Sequence, residues 1–207
     1  MWQIITDIGP GNLATFIAGG LLVNLTPGQD VFFATASGLK GGPRAGVMAG
    51  LGVGIGALWH VALSAFGLSA LIAANPMALH AIKYAGAAYL LYIAWKSWRD
   101  TGEVTGRNGQ NSGWSALRKG ALTNMLNPKP ILFMLAFLPQ FVNSDGGPVW
   151  MQILLLGTIF GITGTLITVG YGYLAGRAGH AIAARMGMLN KVAAVLFAAL
   201  AARLITE

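Results

Sequence analysis

The stretch Asn24-Leu-Thr-Pro-Gly-Gln-Asp30 interrupts an apolar run that carries no other charge between Asp7 and Lys40. A Pro-Gly pair stops a helix, because proline lacks an N–H and clashes with the preceding turn, and a carboxylate is costly in an apolar setting. Proline is nevertheless well placed at the first position of a new helix, where its N–H would have no partner. The stretch therefore reads as a break followed by a restart, with Thr26 as the N-cap, Pro27 at the first position and Gln29 three residues after the cap, where a capping box needs it. A second break of the same kind lies at Leu126-Asn127-Pro128, with Asn127 as cap and Lys129 and Pro130 following.

The rest of the chain explains why such breaks matter. Its 207 residues are 55% hydrophobic and only 9% charged, far below the quarter of charged residues usual in soluble domains. Six stretches are long and apolar enough to cross a bilayer, at about residues 12–37, 45–73, 76–96, 117–141, 149–175 and 187–205. The expected fold is an all-α integral membrane protein, a single transport domain over residues 1–207. Polar residues 99–115 form its one linker, expected to be flexible and cytoplasmic, between a first repeat at about 1–98 and a second at about 116–207. The N-terminus lacks the basic region and cleavage site of a signal peptide, so the first helix is expected to be retained.

Ten of the 13 basic residues lie in the first, third and fifth connections, which the positive-inside rule places in the cytoplasm. Both termini are then expected on the outer side. Trp95 and Trp98, beside Lys96 and Arg99, suit the cytoplasmic interface. Each half holds three spans, an odd number, so two related halves must be inverted relative to each other. Discontinuous helices near the midplane of such inverted repeats form the binding site of many secondary transporters.

Helix N-termini favour anions. Two restarts facing the midplane, reinforced by Lys129, suit a substrate carboxylate. Asp30 is open to three roles: pairing with Lys129, holding an ammonium, or carrying a proton. Asn24, Thr26, Gln29, Asn124 and Asn127 are candidate neutral contacts or caps, and Pro27, Gly28, Pro128 and Pro130 make the breaks. Glycine ladders at Gly46, Gly50 and Gly54, and at Gly157, Gly161, Gly172 and Gly176, read as helix packing, and they also permit a homo-oligomer. His60 is a packing residue or a proton relay.

Other classes fit less well. The net charge of +7 is dispersed over short loops and does not form a nucleic-acid surface. Only one aspartate lies in a span, so an intramembrane aspartyl dyad is missing, and no zinc hydrolase motif occurs. No cofactor or metal is called for. A serine hydrolase built on His60 and Ser64 or Ser69 would need a paired nucleophile and base. A non-transporting membrane subunit is the remaining alternative.

The segments Thr26–Gly56, TPGQDVFFATASGLKGGPRAGVMAGLGVGIG, and Leu117–Val142, LRKGALTNMLNPKPILFMLAFLPQFV, resemble the LysE/RhtB family of amino-acid exporters, and the likeness extends over nearly the whole chain. It implies a bacterial inner-membrane carrier that exports amino acids or derivatives, such as homoserine, threonine, lysine, arginine, leucine or cysteine-related compounds, driven by the proton motive force. The family's Pro-Gly-x-Asp motif falls on Pro27, Gly28 and Asp30, and its Asn-Pro-Lys motif on Asn127, Pro128 and Lys129. Gln29 stands where many relatives have a second proline, which relaxes the backbone there and offers an amide to a substrate.

Overall fold

A computed structural model describes residues 2–74, 78–104, 109–143, 145–179, 181 and 184–206, and among these no strand occurs. The helices are α1 (Trp2–Ile8), α2 (Pro10–Leu25), α3 (Gln29–Leu63), α4 (Ser69–Ala74), α5 (Ala78–Arg99), α6 (Gly113–Met125), α7 (Pro128–Phe137), α8 (Val149–Ala178) and α9 (Met186–Thr206). A π-helical turn, Ser64–Leu68, joins α3 to α4, and a 3-10 turn, Leu138–Phe141, extends α7. By length and apolar content, α8 and the run from α3 into α4 qualify as membrane-crossing helices, and α6 with α7, bent by 45° at their junction, makes a third candidate.

A straight helix the length of α3 would extend roughly 50 Å, well beyond the hydrocarbon thickness. It is not straight. Gly42 has φ 74°, the left-handed region that suits glycine, and Pro43 starts the next helical segment. Gly38 and Gly46 would be about 12 Å apart on a straight helix, yet a Cβ at either would run into the same carbonyl, that of Gly172. The chain therefore folds back at Gly42 into two arms, residues 29–41 and 43–63. The first connection, expected as a loop bearing Lys40 and Arg44, is corrected to this tight turn, with helix on both sides.

The second arm is the hub of the molecule. One face meets α8 at Gly46 against Gly172, Gly50 against Val169 and Gly54 against Thr165, while Gly52 and Gly56 meet the backbone of α6 at Leu117 and Ala121. Backbones can approach this closely because no Cβ intervenes. Gly46, Gly50, Gly54, Gly172 and Gly176 of the two ladders are packing devices within the chain, as the sequence suggests, whereas a Cβ at Gly161 would meet nothing closer than 3.8 Å.

Connections also sort by end. The Gly42–Pro43 turn packs on Gly176, Gly41 on Gln110 and Asn111, and Gly102 on Met186 and Gly187, so the first, third and fifth connections share one end. The far side of the linker is not free, contrary to the expectation of a flexible loop: the Gln110 N–H donates to Ser37 Oγ, and Ser115 Oγ donates to Gln110 Oε1. At the opposite end, the Gly147 N–H donates to Asp7 Oδ2 and Asn143 Nδ2 donates to Asp7 O, tying α1 to the fourth connection. Trp95 and Trp98 are exposed, with the Arg99 guanidinium 5.2 Å from the Trp95 ring centre, which fits an interfacial setting.

Gly46→Ala forces a methyl into the Gly172 backbone, whereas a Cβ at Gly170, also within α8, meets nothing within 4 Å. Gly46→Ala should cost about 1–3 kcal/mol or abolish folding, and Gly170→Ala should be neutral or stabilising by up to about 1 kcal/mol. Thermal unfolding of both variants in detergent checks the contrast.

Candidate functional site

The two breaks lie against each other. At the first, α2 ends at Leu25 and the helix restarts at Gln29, with Gly28 at the N-cap and no side-chain cap. Thr26 is therefore not the N-cap and no capping box forms. Its hydroxyl instead donates to the Leu22 carbonyl at 2.7 Å, closing the outgoing helix. The reason is local: Thr26 and Gly28 are both extended and Pro27 lies outside either helix, which moves the first helical position two residues beyond proline. At the second break Asn127 caps as expected, its Oδ1 accepting from the Lys129 N–H at 3.0 Å.

A helix that stops inside a protein leaves carbonyls without intrahelical partners. At the end of α2 these are met from far along the chain. The Lys129 ammonium donates to Val23 O and to Thr26 O, each at 3.1 Å, and the Tyr171 hydroxyl donates to Leu25 O at 3.0 Å. In return, Asp30 Oδ2 accepts from Asn124 Nδ2 at 2.9 Å and from Asn127 Nδ2 at 2.8 Å. Each break thus satisfies polar groups exposed by the other. Asp30 and Lys129 form no direct ion pair; their bonds go to amides and carbonyls.

Asp30 is half satisfied. Its Oδ1 is buried with no hydrogen-bond partner, and so is Asn124 Oδ1. Both residues line a cavity of about 50 Å³, room for about three or four waters, together with Asn24, Thr26, Asn127 and Lys129. Asn24 is held by Nδ2 bonds to Phe160 O and Thr163 Oγ1. The rest of the wall is mostly apolar, including Val53, Ala57, Met134, Phe160 and Gly161, with the hydroxyl-bearing Thr165 and Thr168 among them.

Away from the connections that bear the basic residues, the cavity is backed by a cluster of packed rings. Phe160 lies 5.0 Å from Phe133, Phe133 4.8 Å from Phe137, and Phe137 4.7 Å from Phe141 and 5.9 Å from Phe16. Toward the connections, a vestibule of about 870 Å³ runs from Gly28, Asn127 and Lys129 out to Tyr92, Lys96, Asp100 and Glu103. Gly28, Asn127 and Lys129 line both spaces and separate them.

The family model for LysE type translocators matches residues 21–207. The chain belongs to the LysE translocator family. Among relatives, a homoserine/homoserine lactone efflux protein of Salmonella typhimurium is 31% identical over 88% of this chain and 90% of its own length. A leucine efflux protein of Klebsiella pneumoniae is 32% identical over 69% and 68%, and an uncharacterized membrane protein of Vibrio cholerae is 32% identical over 88% and 90%. No solved structure matches.

Within this LysE translocator, the sequence-selected residues divide into two groups. Asn24, Thr26, Gly28, Asp30, Asn124, Asn127, Lys129 and Pro130 converge on the cavity, whereas Gln29, exposed, and Pro128 line the vestibule with Pro27. His60 is buried and its Nε2 lies 2.7 Å from the Asn124 carbonyl. Because a carbonyl only accepts, Nε2 carries the hydrogen, and His60 holds the end of α6 beside the break. Ser64 Oγ faces Met134 Sδ at 3.4 Å and Ser69 Oγ bonds the Ala65 carbonyl, so neither serine is paired with His60 as a nucleophile would be. Sequence reasoning missed the Val23 and Thr26 carbonyls, Tyr171, and the cavity-lining face of α8; backbone acceptors have no residue signature, and Gly161 and Gly164 look like packing glycines.

Lys129→Met strands two carbonyls and should lower stability by about 1–3 kcal/mol. Gly28→Ala, whose Cβ would sit 3.4 Å from Lys129 Nζ, should stay within about 0.5 kcal/mol. Thermal melts of the two purified variants separate a structural lysine from a merely adjacent one.

Proposed function

We propose that this translocator exports a small amino acid or derivative across the bacterial inner membrane in exchange for protons. The observation that carries the reading is Asp30: one carboxylate oxygen is fixed by two amides of the second break, while the other is buried and lacks a donor beside a cavity. A buried acceptor without a donor is costly. A proton or a substrate ammonium, arriving in alternation, would each supply one. Asn124 Oδ1 offers a second acceptor to an ammonium. Lys129 uses two N–H groups on carbonyls, and its third, with the two restart ends, is suited to a carboxylate.

The arrangement of the chain supports a carrier of two inverted halves, residues 1–98 and 116–207, joined by the linker 99–115, with six spans. Span one is α2 with residues 29–41, broken at 26–28. Span two is residues 43–63 continuing into α4. Spans three to six are α5, α6 with α7, α8 and α9. The shared end of the first, third and fifth connections is cytoplasmic on the positive-inside rule, and both termini are periplasmic. In this frame the vestibule faces the cytoplasm and the phenylalanine cluster closes the outer side, the arrangement of a carrier that loads from within. The leucine and the homoserine/homoserine lactone efflux proteins among the relatives agree with export. One proton moved across 100 mV supplies about 2.3 kcal/mol, enough for roughly a fiftyfold gradient.

The test is efflux from proteoliposomes loaded with labelled amino acids, with and without an imposed pH gradient. Wild type should export one or a few compounds faster with the gradient, and Asp30→Asn should lose at least tenfold of that stimulation while remaining folded. Gradient-insensitive efflux equal in wild type and variant would overturn the proton-coupled role of Asp30, and no efflux of any compound by folded wild type would overturn amino-acid export.

A further inference from the structure

Two lysines at the basic end of the molecule share a pocket. A space of about 490 Å³ opens between residues 29–41 of α3, α6 and the linker, with Lys40, Lys119 and Gln110 on its walls. Both lysines are exposed, neither has an ion-pair partner among the described residues, and no acidic side chain is among those lining the space. Gln110 Oε1 is taken by Ser115 Oγ, while the Gln110 Nδ-side of the amide, its Nε2, makes no bond among the described residues. The pocket changes character along its length. On the α3 arm, Lys40 lies toward the connection and Phe33 seven residues nearer the first break. On α6, Lys119 lies toward the connection and Leu126 seven residues on, at the second break, with Leu122 between; both leucines are exposed. Seven residues make about two helical turns, so each lysine shares a face about 10 Å long with its apolar counterpart.

We infer that this pocket holds one anionic phospholipid of the leaflet at the basic end, its phosphate between Lys40 and Lys119 and an acyl chain along Phe33, Leu122 and Leu126. Charge and apolar order both favour this occupant. Unpaired ammonium groups on two neighbouring helices suit a phosphate, and basic pockets between spans are a recurring headgroup site. A soluble anion would leave the apolar end unfilled, and a zwitterionic lipid would bring its own ammonium against the lysines. The depth also fits. From Lys40 to Gln29 the helix runs about 16 Å, close to half of the roughly 30 Å hydrocarbon thickness, which is one leaflet. Gln29, Phe33 and Thr123 line both this pocket and the vestibule. The bound lipid therefore walls one side of the vestibule and ties the α3 arm to α6 and the linker. This assignment stands apart from the export reading, because binding is measured without transport.

Phosphatidylglycerol, phosphatidylethanolamine and soluble glycerol 3-phosphate are titrated separately onto the detergent-purified full chain, and binding is read as the rise in unfolding temperature. Phosphatidylglycerol should stabilise wild type, and the other two should not at the same concentration. Each lysine beside an anionic headgroup is worth about fivefold in affinity, so Lys40→Gln combined with Lys119→Gln should weaken phosphatidylglycerol binding by about 25-fold. Arg185→Gln combined with Lys191→Gln removes the same charge at the fifth connection and should weaken it by less than about threefold. Lys40→Arg combined with Lys119→Arg keeps the charge and should bind within about threefold of wild type. Equal binding by wild type and the Lys40→Gln, Lys119→Gln variant overturns the site, and so does an equal loss in the Arg185→Gln, Lys191→Gln variant, which would mean general attraction to charge. Equal stabilisation by phosphatidylethanolamine overturns the headgroup assignment. Equal stabilisation by glycerol 3-phosphate overturns the lipid and makes a soluble phosphate the occupant.

Discussion

Everything in this molecule turns on the need to satisfy two interrupted helices inside an apolar environment. Where lipid offers no hydrogen bonds, a broken helix survives only if neighbouring groups meet its exposed N–H and C=O groups. Here the two breaks meet each other's requirement. The Lys129 ammonium closes the end of α2 through Val23 O and Thr26 O, and the amides of Asn124 and Asn127 hold Asp30 at the start of α3. The exchange is reciprocal, so neither break is a local feature. Asp30 and Lys129 attract without touching, and that leaves one carboxylate oxygen uncommitted.

Such an arrangement requires α6 and the second arm of α3 to approach very closely, and the small residues supply that. Gly52 and Gly56 lie on the backbone of α6, while Gly120 returns the contact on Ala49. The same arm presents Gly46, Gly50 and Gly54 to α8, whose next face carries Gly161 and Gly164 to the cavity. Packing and site are therefore built from one set of helices. His60 adds a polar link by bonding the Asn124 carbonyl, which stiffens the end of α6 from which the Asp30 partner amide projects.

Much of this was legible in the residues. Two Pro-centred breaks, one intramembrane carboxylate and one lysine after the second break mark the site because each is expensive in lipid and needs a partner. The Asn127 cap follows from its place before Pro128. The Thr26 cap did not form, since capping rules assume the helix starts at the proline, and the Pro27-Gly28 pair delays it to Gln29. The turn at Gly42 was hidden because Gly41-Gly42-Pro43 sits among basic residues and reads as an ordinary loop. Least legible were partners that have no side-chain signature, namely the carbonyls of Val23 and Thr26, and contacts such as Tyr171 with Leu25, 146 residues apart, which depend on how spans pack.

A double-mutant cycle on Asp30→Ala and Asn127→Ala, read as unfolding free energy in detergent, bears most directly on the mutual bracing of the two breaks. Bracing predicts a coupling of about 1–3 kcal/mol between positions 30 and 127, the range for a hydrogen bond to a charged group. Additive effects, agreeing to within about 0.5 kcal/mol, would mean that the breaks are stabilised separately and would contradict the account.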